Sequence, residues 1–134
     1  MYGEFLRDQG LTATVRRSPA DAILVIPTTR PDVVVTELVF EGGTRIGCQF
    51  ISAIRQEPAT RGTIILVVSG YVRAVDRQQA RQCGADRFFP KPLLPGALLG
   101  EVLDAITCRL EQRRPPWNAT LPTGDRRRRT RRHN

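Results

Sequence analysis

Three polar side chains of different chemistry each follow a short apolar run of the sequence. Glu37 comes at the end of DVVVTEL, Ser69 follows TIILVV, and Lys91 follows RFFP. Runs rich in β-branched residues are typical of strands buried in a parallel sheet. Because ligands of such sheets bind at the carboxyl ends of the strands, we expect a carboxylate, a hydroxyl and an ammonium to converge on one rim. This rim is the candidate ligand site.

Lys91 is the only lysine among 21 basic residues, and it lies between Pro90 and Pro92. A compact ammonium on a flexible stem can reach one carboxylate or phosphoryl oxygen, a place that a wider, forked guanidinium does not fill. The two prolines restrict the backbone dihedrals on both sides of the lysine. The pattern favours a positioned functional lysine over a solvated loop lysine.

The elements that would position these residues alternate along the chain as short β-type runs and longer helical ones, which is typical of one α/β domain. Strands are predicted at residues 11–16, 32–38, 63–68 and 86–89. Helices are predicted at residues 2–9, from 19 toward 27, around 46–54, at 73–83 and at 95–112. The last helix is expected to bury Leu98, Leu99, Val102, Leu103 and Ile106.

The stretches PDVVVTEL, VVSGY and GADRFFPKPL resemble the response regulator receiver domain. The resemblance covers residues 1 to about 112. It implies a flavodoxin-like, doubly wound parallel sheet in three α/β/α layers, with strand order 2-1-3-4-5. It also implies a role in a two-component phosphorelay, with a histidine kinase or an output protein as the partner.

The resemblance assigns a role to each residue of the rim. Glu37 stands where the family has an aspartate that accepts a phosphoryl group from a histidine kinase. Ser69 and Lys91 stand where the family binds and neutralises the phosphoryl oxygens, and a cis proline follows that lysine. Phe88 stands at the aromatic position that moves on activation.

Departures from the family pattern predict that the chain is not phosphorylated in the usual way. Glutamate is one methylene longer than aspartate, and phosphoryl transfer depends on positioning; a fixed carboxylate beside Lys91 would instead imitate part of the phosphorylated state. The family's first strand, with the acidic pair that holds Mg²⁺, is missing from this sequence, so Mg²⁺ is expected only if that strand lies upstream. If that strand is absent, the strands predicted at residues 11–16 and 32–38 either pair directly with each other or leave open edges that favour self-association. In the loop after Glu37, Glu41 and Arg45 replace the family's proline and glycine.

The basic charge and the cysteines bear on other classes of function. Most of the net charge of +8 lies in residues 113–134, which we expect to form a disordered tail after a single domain of residues 1–112. Weak, non-specific binding of nucleic acid is predicted for six arginines of this tail: Arg126, Arg127, Arg128, Arg129, Arg131 and Arg132. The alternatives are a solubilising tail, or a polyanion-binding protein with the α/β domain as its scaffold. Cys48, Cys83 and Cys108 are expected to be buried, reduced thiols.

A catalytic role is not supported by the residues. The only histidine is His133, in the tail, so a Ser-His or Cys-His pair cannot form in the domain. Nucleotide-binding glycine motifs, a long apolar span and a secretory signal are not found in the sequence. The sequence therefore predicts a cytoplasmic, non-enzymatic signalling domain with no cofactor, no structural metal and no membrane span, which acts through protein interaction.

Overall fold

Helices and strands alternate along the chain in the computed structural model, which describes residues 2–40, 43 and 45–118. The elements are α1 Tyr2–Asp8, α2 Pro19–Thr29, β1 Val33–Thr36, α3 Gly47–Gln56, β2 Ile64–Ser69, α4 Ala74–Cys83, β3 Arg87–Pro90 and α5 Pro95–Leu110. Each predicted helix is present, as are three of the four predicted strands. α2 starts at the N-cap Ser18 and continues through Pro27.

The three strands form one parallel sheet with β2 in the centre and β1 and β3 at its two sides. All six residues of β2 are buried. Because successive side chains of a strand point to opposite faces, β2 contributes to two cores. Ile65 and Val67 pack with α2, α3 and α4 on one face. Ile64, Leu66 and Val68 pack with α1 and α5 on the other. The predicted α/β/α layers and fold class are confirmed.

The prediction of a strand at residues 11–16 is wrong. This stretch has no regular secondary structure, although Leu11 packs against the core that contains α1 and α5. Within the described residues, β1 is paired only with β2, so no further strand offers backbone partners to residues 11–16. β-branched side chains favour an extended backbone, but a strand also needs a neighbour that satisfies its N–H and C=O groups.

One residue of the predicted buried face of α5 is exposed. The buried stripe consists of Leu98, Val102, Ala105 and Cys108, whereas Leu103 keeps 47% of its surface exposed. The spacing of four, three and three residues follows one face of a helix. Leu103 directly follows Val102 and is therefore turned away from that face, which is why the prediction of its burial is wrong.

The domain continues six residues beyond its predicted end, because residues 113–118, here called the C-terminal segment, pack against it. Pro115 is buried, and Trp117 packs against the core formed by α2, α3 and α4. The Asn118 side chain accepts from the Phe88 N–H at 2.9 Å and donates to the Phe88 carbonyl at 2.7 Å. It therefore covers part of the outer edge of β3. The expectation of disorder is wrong for these six residues, and the rest of the predicted tail lies outside the described residues.

Two of the three cysteines do not follow the prediction of reduced thiols. Cys48 and Cys83 form a disulfide with a Cα–Cα distance of 5.4 Å, while Cys108 is buried and free, as predicted. Since 35 residues separate the two joined cysteines in sequence, their spacing gave no sign of the contact. It arises because α3 and α4 pack side by side. In the described part of the chain, none of the helices has the length and apolar character needed to cross a membrane.

Candidate functional site

The carboxyl ends of the three strands meet at one rim, as the sequence predicts. Glu37 directly follows β1, Ser69 ends β2, and Lys91 directly follows β3. Ser69 is paired with Pro90, and the Lys91 N–H donates to the Ser69 carbonyl at 2.8 Å. The sheet register therefore fixes the backbone on which the lysine is mounted.

Glu37 and Lys91 form an ion pair between the Lys91 ammonium and Oε1 of Glu37. Their side chains are 34% and 45% exposed, respectively. Because β1 and β3 are the two outer strands of the sheet, this ion pair crosses the carboxyl end of β2. The structure thus brings two of the predicted rim residues into direct contact, with opposite charges compensating each other.

Ser69 lies at the same rim, but its hydroxyl is engaged with the following loop. The buried Oγ accepts from the Tyr71 N–H at 2.9 Å and donates to the Tyr71 carbonyl at 3.2 Å. This is a local side-chain turn of the kind that serine commonly makes. The hydroxyl therefore shapes the loop between β2 and α4.

Phe88 lies in β3, three residues before Lys91, and is only 3% exposed. Its ring belongs to the core formed with α2, α3 and α4, while its backbone N–H and C=O are both bonded by Asn118. The predicted mobile aromatic is therefore buried and is held on its backbone side by the C-terminal segment. The peptide bond between Lys91 and Pro92 is cis, as the resemblance implies.

A charged cluster beside the rim was missed by the sequence prediction. Arg45, from the loop before α3, donates to Asp76 at 2.6 Å and lies 5.7 Å above the Tyr71 ring. Asp76 is fully buried and also pairs with Arg73 at 3.0 Å. The hydrogen bond from Arg73, helped by the one from Arg45, outweighs burial and lowers the pKa of Asp76 to about 2. Asp76 is the third residue of α4, where an acidic side chain can bond the backbone N–H of the residue before the helix. This position could have been recognised from the sequence as the start of a helix.

Mg²⁺ does not fit the described residues of this rim. Mg²⁺ takes carboxylate and water ligands in a nearly octahedral arrangement. Among residues 2–40, 43 and 45–118, no group of three or more acidic, histidine or cysteine side chains is placed to hold a metal ion. Glu37 supplies a carboxylate at the rim, but Lys91 already neutralises it. Glu41 lies outside the described residues.

Comparisons with known proteins agree with this architecture. The model of the response regulator receiver domain matches residues 1–103. The phosphate regulon transcriptional regulatory protein PhoB of Klebsiella pneumoniae is 28% identical over 72 residues, which cover 54% of this chain. The match spans only 31% of the length of that relative.

Solved receiver domains share the fold. A CheY-like receiver domain protein from Methanospirillum hungatei matches with a TM-score of 0.72 at 16% identity, covering 83% of this chain and 86% of that one. CheY4 of Vibrio cholerae matches with a TM-score of 0.69 at 23% identity, covering 78% and 86%. HP1043, an orphan response regulator of H. pylori, matches with a TM-score of 0.66 at 21% identity, covering 78% and 83%. These likenesses show the fold. The family match, which extends through α4 and β3 into α5, shows that the chain belongs to the response regulator receiver domain family.

Proposed function

We propose that this chain is a receiver-type signalling domain whose rim is held in one state by the Glu37–Lys91 ion pair, without phosphoryl transfer to Glu37. Receiver domains work in two-component signalling and interact with histidine kinases or output proteins. In this proposal the chain acts by binding such a partner and has no catalytic turnover. The observation that carries the proposal is the contact between the Lys91 ammonium and the Glu37 carboxylate.

The charge at the rim supports a fixed state. In receiver domains, the lysine at the position of Lys91 neutralises the negative charge that phosphorylation adds. Here the lysine already contacts a carboxylate that follows β1. A carboxylate carries less charge and fewer acceptor oxygens than a phosphoryl group, so the pair imitates only part of the phosphorylated arrangement.

The chemistry of the rim also opposes phosphoryl transfer. An attacking carboxylate oxygen must be free and aligned with the phosphorus atom, because most of the catalysis of phosphoryl transfer is positioning and charge stabilisation. Lys91 engages Oε1 of Glu37, so at most one oxygen of this carboxylate remains for an attack, and the described residues do not supply a ligand set for Mg²⁺. We therefore propose that Glu37 is a structural charge and that the domain needs no cofactor.

An NMR comparison of two charge-removing variants tests the proposal. Glu37→Gln keeps the shape of the side chain but removes its charge. We expect it to shift the backbone amide resonances of Ser69, Phe88 and Lys91, because Ser69 and Lys91 lie at the rim beside the ion pair and Phe88 lies in β3, which ends just before Lys91. Glu57→Gln, at an exposed position after α3, is the matched control and should leave those resonances in place.

Addition of Mg²⁺ to the unchanged protein should also leave these resonances in place. The proposal would be contradicted if Glu37→Gln shifted the rim amides no more than the control does. It would equally be contradicted if Mg²⁺ shifted the amides on both sides of Glu37 in a saturable manner, since that carboxylate would then be a metal ligand.

A further inference from the structure

Cys48 and Cys83 lie at the contact between two helices that flank the rim. Cys48 is in the first turn of α3, and Cys83 is the last residue of α4. Their Cα–Cα distance of 5.4 Å is within the range of about 4.4–6.8 Å that a disulfide requires. Both side chains are half-buried, so a small reagent can reach them without unfolding the domain.

We propose that this cysteine pair is a redox modification site that cross-links α3 to α4, with a low-molecular-weight disulfide of the glutathione disulfide class as its oxidant. One cysteine thiolate attacks a sulfur of the oxidant, giving a mixed disulfide and releasing one small thiol. The second cysteine thiolate then attacks the protein sulfur of the mixed disulfide and releases the second small thiol. Two protein thiols and one small disulfide thus give one protein disulfide and two small thiols, and excess small thiol reverses the reaction.

The position of the third cysteine makes the reaction selective. Cys108 is fully buried in α5 and belongs to the opposite layer of the domain. The sheet therefore separates it from Cys48 and Cys83. Oxidation of the folded protein should join only the half-buried pair.

The disulfide would add a second connection between α4 and the residues that lead from Glu37 to the start of α3. The first connection is the ion pair between Arg45, just before α3, and Asp76, in the first turn of α4. The start of α3 is itself fixed to this segment, since the Gly47 N–H donates to the Leu38 carbonyl at 3.0 Å. A side chain at Gly47 would clash with the backbone of Glu37 and Leu38, so the approach is close. In the reduced form the carboxyl end of α4 is held to α3 by a hydrogen bond from Arg55 to the Gly84 carbonyl. In the oxidised form a covalent bond to the start of α3 is added there.

Thiol counting tests the site directly. The full chain is equilibrated with glutathione disulfide or with reduced glutathione, denatured in an alkylating reagent, and weighed intact and after digestion. The reduced protein should take up three alkyl groups, one for each cysteine. The oxidised protein should take up one group, on Cys108, and should yield a linked peptide that contains Cys48 and Cys83.

The effect on the fold is measured in the same two states. Closing a loop of 35 residues should raise the melting temperature on the order of 10 °C, because the cross-link restricts the unfolded chain. Hydrogen exchange of the α4 amides should become slower. Each variant is compared with itself in the two states, so a change in its own stability cancels. Cys48→Ser and Cys83→Ser should each abolish both effects, while Cys108→Ala should retain them.

The proposal is independent of the role of Glu37 and is overturned by any of several results. These are three alkylated cysteines after oxidation, a stable mixed disulfide on either half-buried cysteine, or disulfide-linked dimers as the main product. A rise in melting temperature that survives in Cys48→Ser would also overturn it. Unchanged hydrogen exchange of the α4 amides in a correctly cross-linked protein would show that the disulfide does not stabilise α4 against α3.

Discussion

At the scale of single residues, Glu37 and Lys91 show how a strand pattern can predict a contact. Each residue follows a recognisable strand, and parallel strands of one sheet place their carboxyl ends at the same rim. Since both side chains are partly exposed, the pair is worth only about 0.2–1 kcal/mol. In the proposed function its role is to fix the charge and position of the rim.

Asp76 contributes more to stability than the ion pair at the rim, because it is fully buried and is paired with both Arg45 and Arg73. Its folded-state pKa of about 2 lies below the ordinary value of 3.8. The folded protein therefore holds the carboxylate unprotonated more strongly than the unfolded chain does. The stabilisation is complete above about pH 4 and is lost as the pH falls through about 2.

We predict that Asp76→Asn lowers the free energy of unfolding by about 1–2 kcal/mol at neutral pH. The variant should also lose part of the acid dependence between about pH 4 and pH 2. Urea unfolding at a series of pH values measures both effects. Asp8→Asn, at an exposed position at the end of α1, serves as the control. An acid dependence in Asp76→Asn equal to that of the unchanged protein would contradict the assignment.

Other features at the residue scale were not predictable from the sequence. The Ser69 hydroxyl turns to Tyr71 because of the local geometry of the loop, which a strand pattern does not specify. Arg45 was noticed only as a departure from the family pattern. Its partner, Asp76, lies 31 residues away, so their contact depends on how α3 and α4 pack.

At the scale of elements, the C-terminal segment takes part of the place of a further strand beside β3. The Asn118 amide offers one donor and one acceptor, as a backbone peptide group does, and it satisfies both backbone groups of Phe88. Arg114 adds ion pairs to Asp86 at the opposite end of β3 from the rim. The segment is therefore held at the start of β3, by Asp86, and along its outer edge, by Phe88.

We predict that Asn118→Ala lowers the free energy of unfolding by about 1–3 kcal/mol, because it leaves the two backbone groups of Phe88 without these partners. Urea unfolding gives the magnitude, and hydrogen exchange at the Phe88 amide locates the effect. Gln78→Ala, which removes an exposed amide side chain from α4, is the matched control. Equal stability of the two variants would show that the Asn118 contacts do not hold β3.

Elements were predictable where their pattern was long and periodic. β2, α3 and α4 were found close to their observed positions, since buried strands, amphipathic helices and a glycine after a helix are strong local signals. The predictions for residues 11–16 and for the C-terminal segment were wrong because these stretches have no such local signal. Whether an extended stretch is paired depends on what lies beside it in space, and composition alone does not carry that information.

At the scale of the whole molecule, the two sides of the sheet differ. The outer edge of β3 is partly covered by Asn118, whereas in the described part of the chain no strand pairs with the outer edge of β1. Open edges expose backbone donors and acceptors that another chain can bind. β1 is also only partly buried over Val33, Val34 and Val35.

We predict that this chain self-associates through the edge of β1. Sedimentation velocity over a series of concentrations should show a shift from monomer toward dimer. Hydrogen exchange of the β1 amides should become slower as the dimer forms, while the β3 amides, on the other side of the sheet, are the internal control. A single monomeric species up to the highest soluble concentration would contradict the prediction.

The order of layers and the position of the rim were predictable for the whole molecule, because they follow from alternating elements and from the resemblance to a family. The pairing of Cys48 with Cys83 was not, since it joins two helices that are separated by a strand in sequence. The predicted binding of nucleic acid by residues 126–132 stays a prediction, as these residues lie outside the described range.

The central claim is that Glu37, held by Lys91 at a rim whose described residues do not fit Mg²⁺, does not accept a phosphoryl group. The most direct test is the intact mass of the chain after incubation with Mg²⁺ and a small acyl phosphate donor. A receiver domain with an aspartate acceptor, treated in the same tube, controls for the activity of the donor. We predict that the control gains one phosphoryl group while the mass of this chain is unchanged. A gain of one phosphoryl group that maps to Glu37 would contradict the account.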